Sequence, residues 1–245
     1  MTDFYVGYTD PPPPRIRRFL RRVALGTLAA AALAAAAVAL GQRRLPSAHF
    51  EFGHIRTFEG FVVADPYPSL IVPGDTAFSR YLLTAPGKFG ADELVASVVG
   101  RAASLQGTLA YREDQAMIQV EPGTVALREP DEPPPDLPET DLGDRYVEGE
   151  IVGSKCYLGV MNPGSGITHR ACAAVCIKGG IAPLLEVRRE DGRREGIVLA
   201  GSGGEAIGDA LEGLIATPVG MTGRLVRRGG TTFLHVDPAS IRRLR

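Results

Sequence analysis

The stretch GTLAYREDQAMIQVEPGTV, residues 107–125, has a counterpart later in the same chain: GRLVRRGGTTFLHVDPASI, residues 223–241. Under one constant shift of 116 positions, Gly107 falls on Gly223, Leu109 on Leu225, Arg112 on Arg228 and Ile118 on Leu234. Val120 then falls on Val236, Glu121 on Asp237, Pro122 on Pro238 and Val125 on Ile241. Upstream, YLL at 81–83 falls on IVL at 197–199 with the same shift. Agreement at so many ordered positions points to an internal duplication. FEGFVV at 58–63 and VEGEIV at 147–152 open the two units, but there the shift is only 89, so the second unit has gained 27 residues. KCYLGVMNPGSGITHRACAAVCIKGG, residues 155–180, fills that gap almost completely. It reads as an insertion in one copy, not as a core segment, because the other copy has no equivalent.

Within the first copy, 57–65, 69–73 and 80–84 are short, apolar and bounded by Pro and Gly, which predicts strands. ADELVASVVGRAA at 91–103 has an acidic start and apolar residues at helical spacing, and strands are predicted at 104–112 and 115–121. The second copy repeats the order: 147–153, the insertion, 183–188, 195–200, a helix at 205–216, then 219–228 and 231–237. Gly229-Gly230 marks a tight hairpin. Three strands, a helix and two strands is the order of an OB barrel, and short alternating strands suit a small closed barrel that hides its edges. An SH3-like barrel or an open β-roll with one helix also accommodates the pattern.

The fold class predicted is mainly β with small helices: an N-terminal transmembrane helix followed by two tandem OB-like β-barrel repeats. The first barrel spans 46–127 and the second 146–245. REPDEPPPDLPETDLGDR at 128–145, with five prolines and many acids, reads as a stiff spacer between them. The insertion 155–180 then lies in the loop joining the first two strands of the second barrel, which in OB barrels flanks the ligand-binding face.

Residues Val23 to Gly41 are 19 consecutive uncharged residues, long enough to cross a bilayer as a helix. Ten are Ala, so Leu25, Leu28, Leu33 and Leu40 carry much of the hydrophobic drive. Five arginines (15, 17, 18, 21 and 22) precede the run and two (43 and 44) follow it. That bias holds segment 1–22 in the cytoplasm and sends the rest across. AVA at 37–39 also fits a signal-peptidase site, but the long leading segment with PPPP at 11–14 is unlike a short n-region. The expected location is a bacterial inner membrane with the C-terminal domains periplasmic, where thiols meet oxidising conditions.

Composition narrows function further. Net charge is −1 and aromatics are 7%, which gives neither the basic groove nor the stacking platforms of a nucleic-acid binder. No nucleophile motif surrounds Ser154, Ser165 or Ser202. GSGG at 201–204 lacks the Lys and βαβ context of a phosphate loop. Asp209 and Glu212 read as a solvated helix face, and His235 as an outward strand residue opposite Gln119 of the other copy. His54 has polar context and His49 lies near the anchor, but neither belongs to a nucleophile motif. Catalysis therefore has no positive support. The pairs Arg227/Arg228 and Arg242/Arg243 suit acidic lipid headgroups or a protein partner.

All three cysteines fall inside the insertion, in the spacing C-x12-H-x2-C-x3-C. HRACAAVC predicts a helical turn with His169, Cys172 and Cys176 on one face. PGSG at 163–166 provides a turn that returns Cys156 over that face, with Met161 nearby as a further soft donor. Three readings stay open. Cys156, His169, Cys172 and Cys176 can form a four-ligand site for one zinc or copper ion. Cys156 can instead pair with Cys172 or Cys176 in a disulfide that staples the loop. The thiols can also be buried apolar groups or redox-active, with exchange between Cys172 and Cys176.

KCYLGVMNPG followed by HRACAAVCIKGGIAP, together with FYVGY at 4–8 and GTLAYRE at 107–113, resembles a family of uncharacterised bacterial single-span membrane proteins. The resemblance covers most of the chain and marks 155–180 as a site; it carries no established activity. The expected function is a membrane-anchored, extracytoplasmic, non-catalytic protein that binds a metal or a metal or redox partner. Such a protein suits an accessory subunit of an envelope or electron-transfer complex, with another membrane or extracytoplasmic protein as partner.

Overall fold

The computed structural model describes residues 12–42, 48–75, 77–129, 134–190 and 192–244. The expectations that fall on 1–11, 43–47, 130–133 and Arg245 lie outside the described residues. The chain divides into two units, Met1–Pro46 and Ser47–Arg245.

The first unit contains α1 (Pro14–Gln42), 29 residues and therefore about 43 Å long at 1.5 Å per residue. Its apolar part reaches a mean hydropathy of 2.2 and is long and apolar enough to cross a membrane. Leu25, Leu28, Leu33 and Leu40 are all exposed.

The second unit is mainly β. Strands β1 (Ala48–Val63), β2 (Ser69–Pro73), β3 (Phe78–Thr84), β4 (Ala102–Arg112) and β5 (Gln115–Val120) pair in the order β1-β2-β3-β5-β4, with β6 (Ala126–Leu127) outside β4. A further β1–β4 pairing closes the ring into a five-stranded barrel. The later strands are β7 (Glu139–Gly153), β8 (Pro183–Arg188), β9 (Arg194–Gly201), β10 (Pro218–Arg228), β11 (Thr231–Val236) and β12 (Arg242–Arg243). They pair as β7-β8-β9-β11-β10, with β10 also on β7 and β12 at the outside of β10.

Registers coincide as well. Leu109 faces Ile118 across β4–β5, and Leu225 faces Leu234 across β10–β11. Leu83 faces Ile118 in the parallel β3–β5 pair, and Leu199 faces Leu234 in β9–β11. In both sheets the alternate inward residues build a core: Val62, Leu70, Leu105 and Ile118 in the first, Ile151, Leu185, Leu199 and Leu234 in the second.

Several elements depart from expectation. Strand β7 starts at Glu139, so the last part of the acid- and proline-rich stretch pairs with β10 instead of spacing two bodies. The helix expected at 91–103 shrinks to α2 (Asp92–Val95) and a 3₁₀ turn, Ala96–Val98. Gly100 takes φ +77, and Ala102, Ala103 and Leu105 are drawn into β4 by pairing with β1. The helix expected at 205–216 is a single 3₁₀ turn, Gly208–Leu211. Gly208 and Gly213 weaken it, and Gly213 at φ +83 turns the chain away.

Part of the insertion lies in the interior, contrary to the expectation that it is no core segment. A single π-helical turn, Cys156–Val160, buries Cys156, Tyr157 and Leu158. Tyr157 and Leu158 join Leu82, Ala110 and Met117 of the first sheet and Val152, Leu184, Val198 and Phe233 of the second in one cluster. Arg112 of β4 donates from Nε to the Tyr157 carbonyl at 2.7 Å and stacks over its ring at 4.3 Å. Tyr67 of the first sheet donates to Leu199 O at 3.1 Å and accepts from Ile207 N at 3.2 Å. Gln115 Nε2 donates to Gly196 O at 2.6 Å. These polar bridges and the shared apolar cluster weld the two sheets together.

Candidate metal centre

The three thiols come from two short elements. Cys156 opens the π turn and Cys172 and Cys176 lie on α3 (Arg170–Lys178), four residues apart on one face. The PGSG turn seats Gly164 directly against the Cys156 and Tyr157 backbone, where a Cβ would meet Cys156 O at 2.3 Å. That contact folds the chain back as the sequence suggests. All three Sγ atoms lie within 4.8 Å of one another, and Cys156 Sγ is 3.8 Å from Cys172 Sγ. Cys156 and Cys176 are buried and Cys172 is half-buried, so one side of the cluster meets solvent.

His169 does not belong to that group. The helix begins at Arg170, and His169 sits in the preceding 3₁₀ turn, Ile167–His169, where the 3.6-residue face no longer applies. It is buried with its Nε2 unpartnered among the described residues, and burial, then the charge of Lys88, pushes its pKa down. Met161 is 48% exposed. Of the four expected ligands, the structure gathers three.

Two lysines that the spacing argument missed complete the surroundings. Lys88, in the loop after β3, places Nζ 3.3 Å from Cys172 Sγ. Lys155 is buried and donates to Ala85 O at 2.8 Å and Gly87 O at 2.9 Å in that same loop. Lys155 stands beside Cys156 in sequence, which is a signal of a kind; Lys88 lies 84 residues from Cys172 and gives none. The loop is held close by glycines. Gly90 N donates to Gly179 O at 2.7 Å, and a Cβ on Gly179 would sit 2.0 Å from Lys88 O.

The thiols do not share protons equally. The hydrogen bond from Cys156 lowers the Cys176 pKa to about 6 against the opposing effect of burial, with help from Cys172, Lys88 and Lys155. The same bond, then burial, pushes the Cys156 thiol up. Burial lowers Lys155, while its bond to Cys172 raises Lys88. A thiolate flanked by ammonium groups and two more thiols is a soft, electron-rich donor set. It can bind a thiophilic cation or undergo disulfide chemistry. His54 is exposed and His235 is half-buried on β11, so neither joins the cluster. Compared with known families and curated proteins, the chain matches no family model and no curated sequence.

Proposed function

We propose that this is a membrane-anchored, extracytoplasmic protein that holds one zinc or copper ion on Cys156, Cys172 and Cys176. One observation carries the reading: three sulfurs from separate turns converge within 4.8 Å. Thiolates bound to one ion at about 2.3 Å stand roughly 3.8 Å apart, whereas a disulfide needs about 2.05 Å. The Cys156–Cys172 separation of 3.8 Å fits the former. With His169 outside the group, the fourth position is left to an external ligand or stays empty, as in trigonal copper(I).

The anchor is α1, and the arginine bias around it favours a cytoplasmic N-terminus. The matching registers support two OB-like barrels derived by duplication, with the insertion serving as the wedge between them. The role we assign is non-catalytic and accessory in a membrane complex, against another membrane or extracytoplasmic protein, a reading that the apolar helix supports. Thiol–disulfide exchange is the second reading, favoured by the lowered Cys176 and the nearness of Cys156 to Cys172.

Elemental analysis of the full chain, purified in detergent anaerobically and without added reductant, tests the first reading. About one zinc or copper per chain is expected, and none in Cys156→Ser or Cys172→Ser. A metal-free protein that gains two protons in mass on reduction would overturn it in favour of exchange.

A further inference from the structure

Cys172 is the half-buried thiol of the cluster, the one that an oxidant from solvent meets first. What it touches is an amine. Lys88 Nζ lies 3.3 Å from Cys172 Sγ, closer than the 3.8 Å that separates this sulfur from Cys156 Sγ. Lys88 is exposed, and among the described residues no carboxylate pairs with it. Metal binding gives the lysine no place as a ligand, because an ammonium has no lone pair to offer.

The contact is rooted at both ends. Lys155 Nζ holds Ala85 O at 2.8 Å and Gly87 O at 2.9 Å, just before Lys88. Phe89 O accepts from Thr84 Oγ1 at 2.9 Å and from Ala85 N at 3.0 Å. Gly90 N donates to Gly179 O at 2.7 Å, and Lys88 O is seated against Gly179 at the end of α3, the helix that carries Cys172. The loop under the amine and the helix under the thiol therefore share one frame. Groups kept at such a spacing give up little freedom in order to combine.

We infer that dioxygen joins them in an oxygen-bridged link, Lys88 Nζ–O–Cys172 Sγ. An N–H and the S–H bond break, and an N–O and an O–S bond form. Ammonium, thiol and dioxygen give the bridge, one water and one proton. Nitrogen and sulfur each give up two electrons, and dioxygen takes all four. A one-atom bridge closes the 3.3 Å gap with less movement than a direct N–S bond would need. Like other reversible caps on cysteine, it spares the sulfur the irreversible acids. It also takes Cys172 Sγ out of the donor set, so the bridged chain should take up no zinc or copper; that consequence alone rests on the metal reading.

Intact-mass spectrometry of the full chain in detergent, stripped of metal by a chelator and then equilibrated with air, tests the bridge. A gain of one oxygen with a loss of two hydrogens is expected, and digestion should give one pair of peptides joined through Lys88 and Cys172. Dithiothreitol should restore the starting mass, and anaerobic handling should prevent the change. Lys88→Arg keeps the charge but offers no amine, so it should abolish the adduct, as should Cys172→Ser. An unchanged mass, a loss of two hydrogens alone, oxygen gained at Cys172 with no loss of hydrogen, or the same adduct in Lys88→Arg would each overturn the proposal. The mass is read on metal-free chains, so an absent bridge counts against the bridge alone. An ion missing from the chain as purified counts against the metal reading alone.

Discussion

Lys88 Nζ and Cys172 Sγ lie 3.3 Å apart although 84 residues separate them in the chain. The lysine belongs to the loop after β3 of the first sheet and the thiol to α3, within the insertion of the second. The donor set is therefore a property of the docked pair. Neither sheet alone brings the cation and the three thiols together.

Replacing Lys88 by Gln should weaken metal retention modestly, by about two- to fivefold, because the ammonium is solvent-exposed and screened. Competition with a chromophoric chelator reads the change. The difference from wild type should shrink as salt rises from 0.05 to 0.5 M; a salt-independent loss would mean that Lys88 acts by packing.

Proton uptake by Cys176 should be visible in the reduced, metal-free protein as loss of thiolate absorbance near 240 nm. Its folded pKa lies below that of a free thiol, so the thiolate persists down to about pH 6 while its stabilising contribution is complete above about pH 9 and shrinks below it. They are lost as pH falls through about 6. Cys176→Ser should remove this step, and Lys155→Met should move it upward.

Gly179→Ala should disturb the site without touching a thiol. Its φ of −80 is ordinary, so no backbone strain is involved. The added methyl would meet Lys88 O at 2.0 Å, and the loop carrying Lys88 has to move. Loss of about 1–3 kcal/mol of stability is expected, as for overpacking elsewhere. Chemical denaturation and chelator competition should both register it.

Tyr157 separates packing from polarity. It is 1% exposed and its hydroxyl has no partner among the described residues. Tyr157→Ala should cost about 3–5 kcal/mol, the range for emptying an aromatic site. Tyr157→Phe should be neutral or slightly stabilising, since it removes an unpaired buried hydroxyl. A large loss in the Phe variant would reveal a bond that the hydroxyl makes to water.

Leu28→Arg combined with Leu33→Arg should abolish stable membrane association, as each arginine costs about 2.5–3.5 kcal/mol at a helix centre. Carbonate extraction of membranes distinguishes the outcomes: the wild type in the pellet and the double variant in the supernatant.

How much of this was legible beforehand differs by element. Strand β8 spans Pro183–Arg188 as expected, and β2 spans Ser69–Pro73, because short continuous apolar runs bounded by Pro and Gly signals are too short for a helix. The helices predicted at 91–103 and 205–216 both shortened, since Gly100, Gly208 and Gly213 sit where a helix would need to continue. The convergence of Cys156 with Cys172 was readable from the PGSG turn. The exclusion of His169 was not, because it depends on α3 starting one residue later, at Arg170. Burial of Tyr157 and Leu158 was hidden too. A segment without a counterpart in the first copy looks peripheral, yet its apolar residues fill the seam that only the docked sheets create.

The seam also sets an order of events on the ribosome. The first sheet is complete once Leu127 has emerged, but Tyr67 waits for Leu199 and Ile207, and Met117 waits for Phe233. Contacts of such long sequence separation close slowly. Cys156, Cys172 and Cys176 are therefore synthesised before Val198, Leu199, Ile207 and Phe233, and the seam closes only when nearly the whole chain has been made.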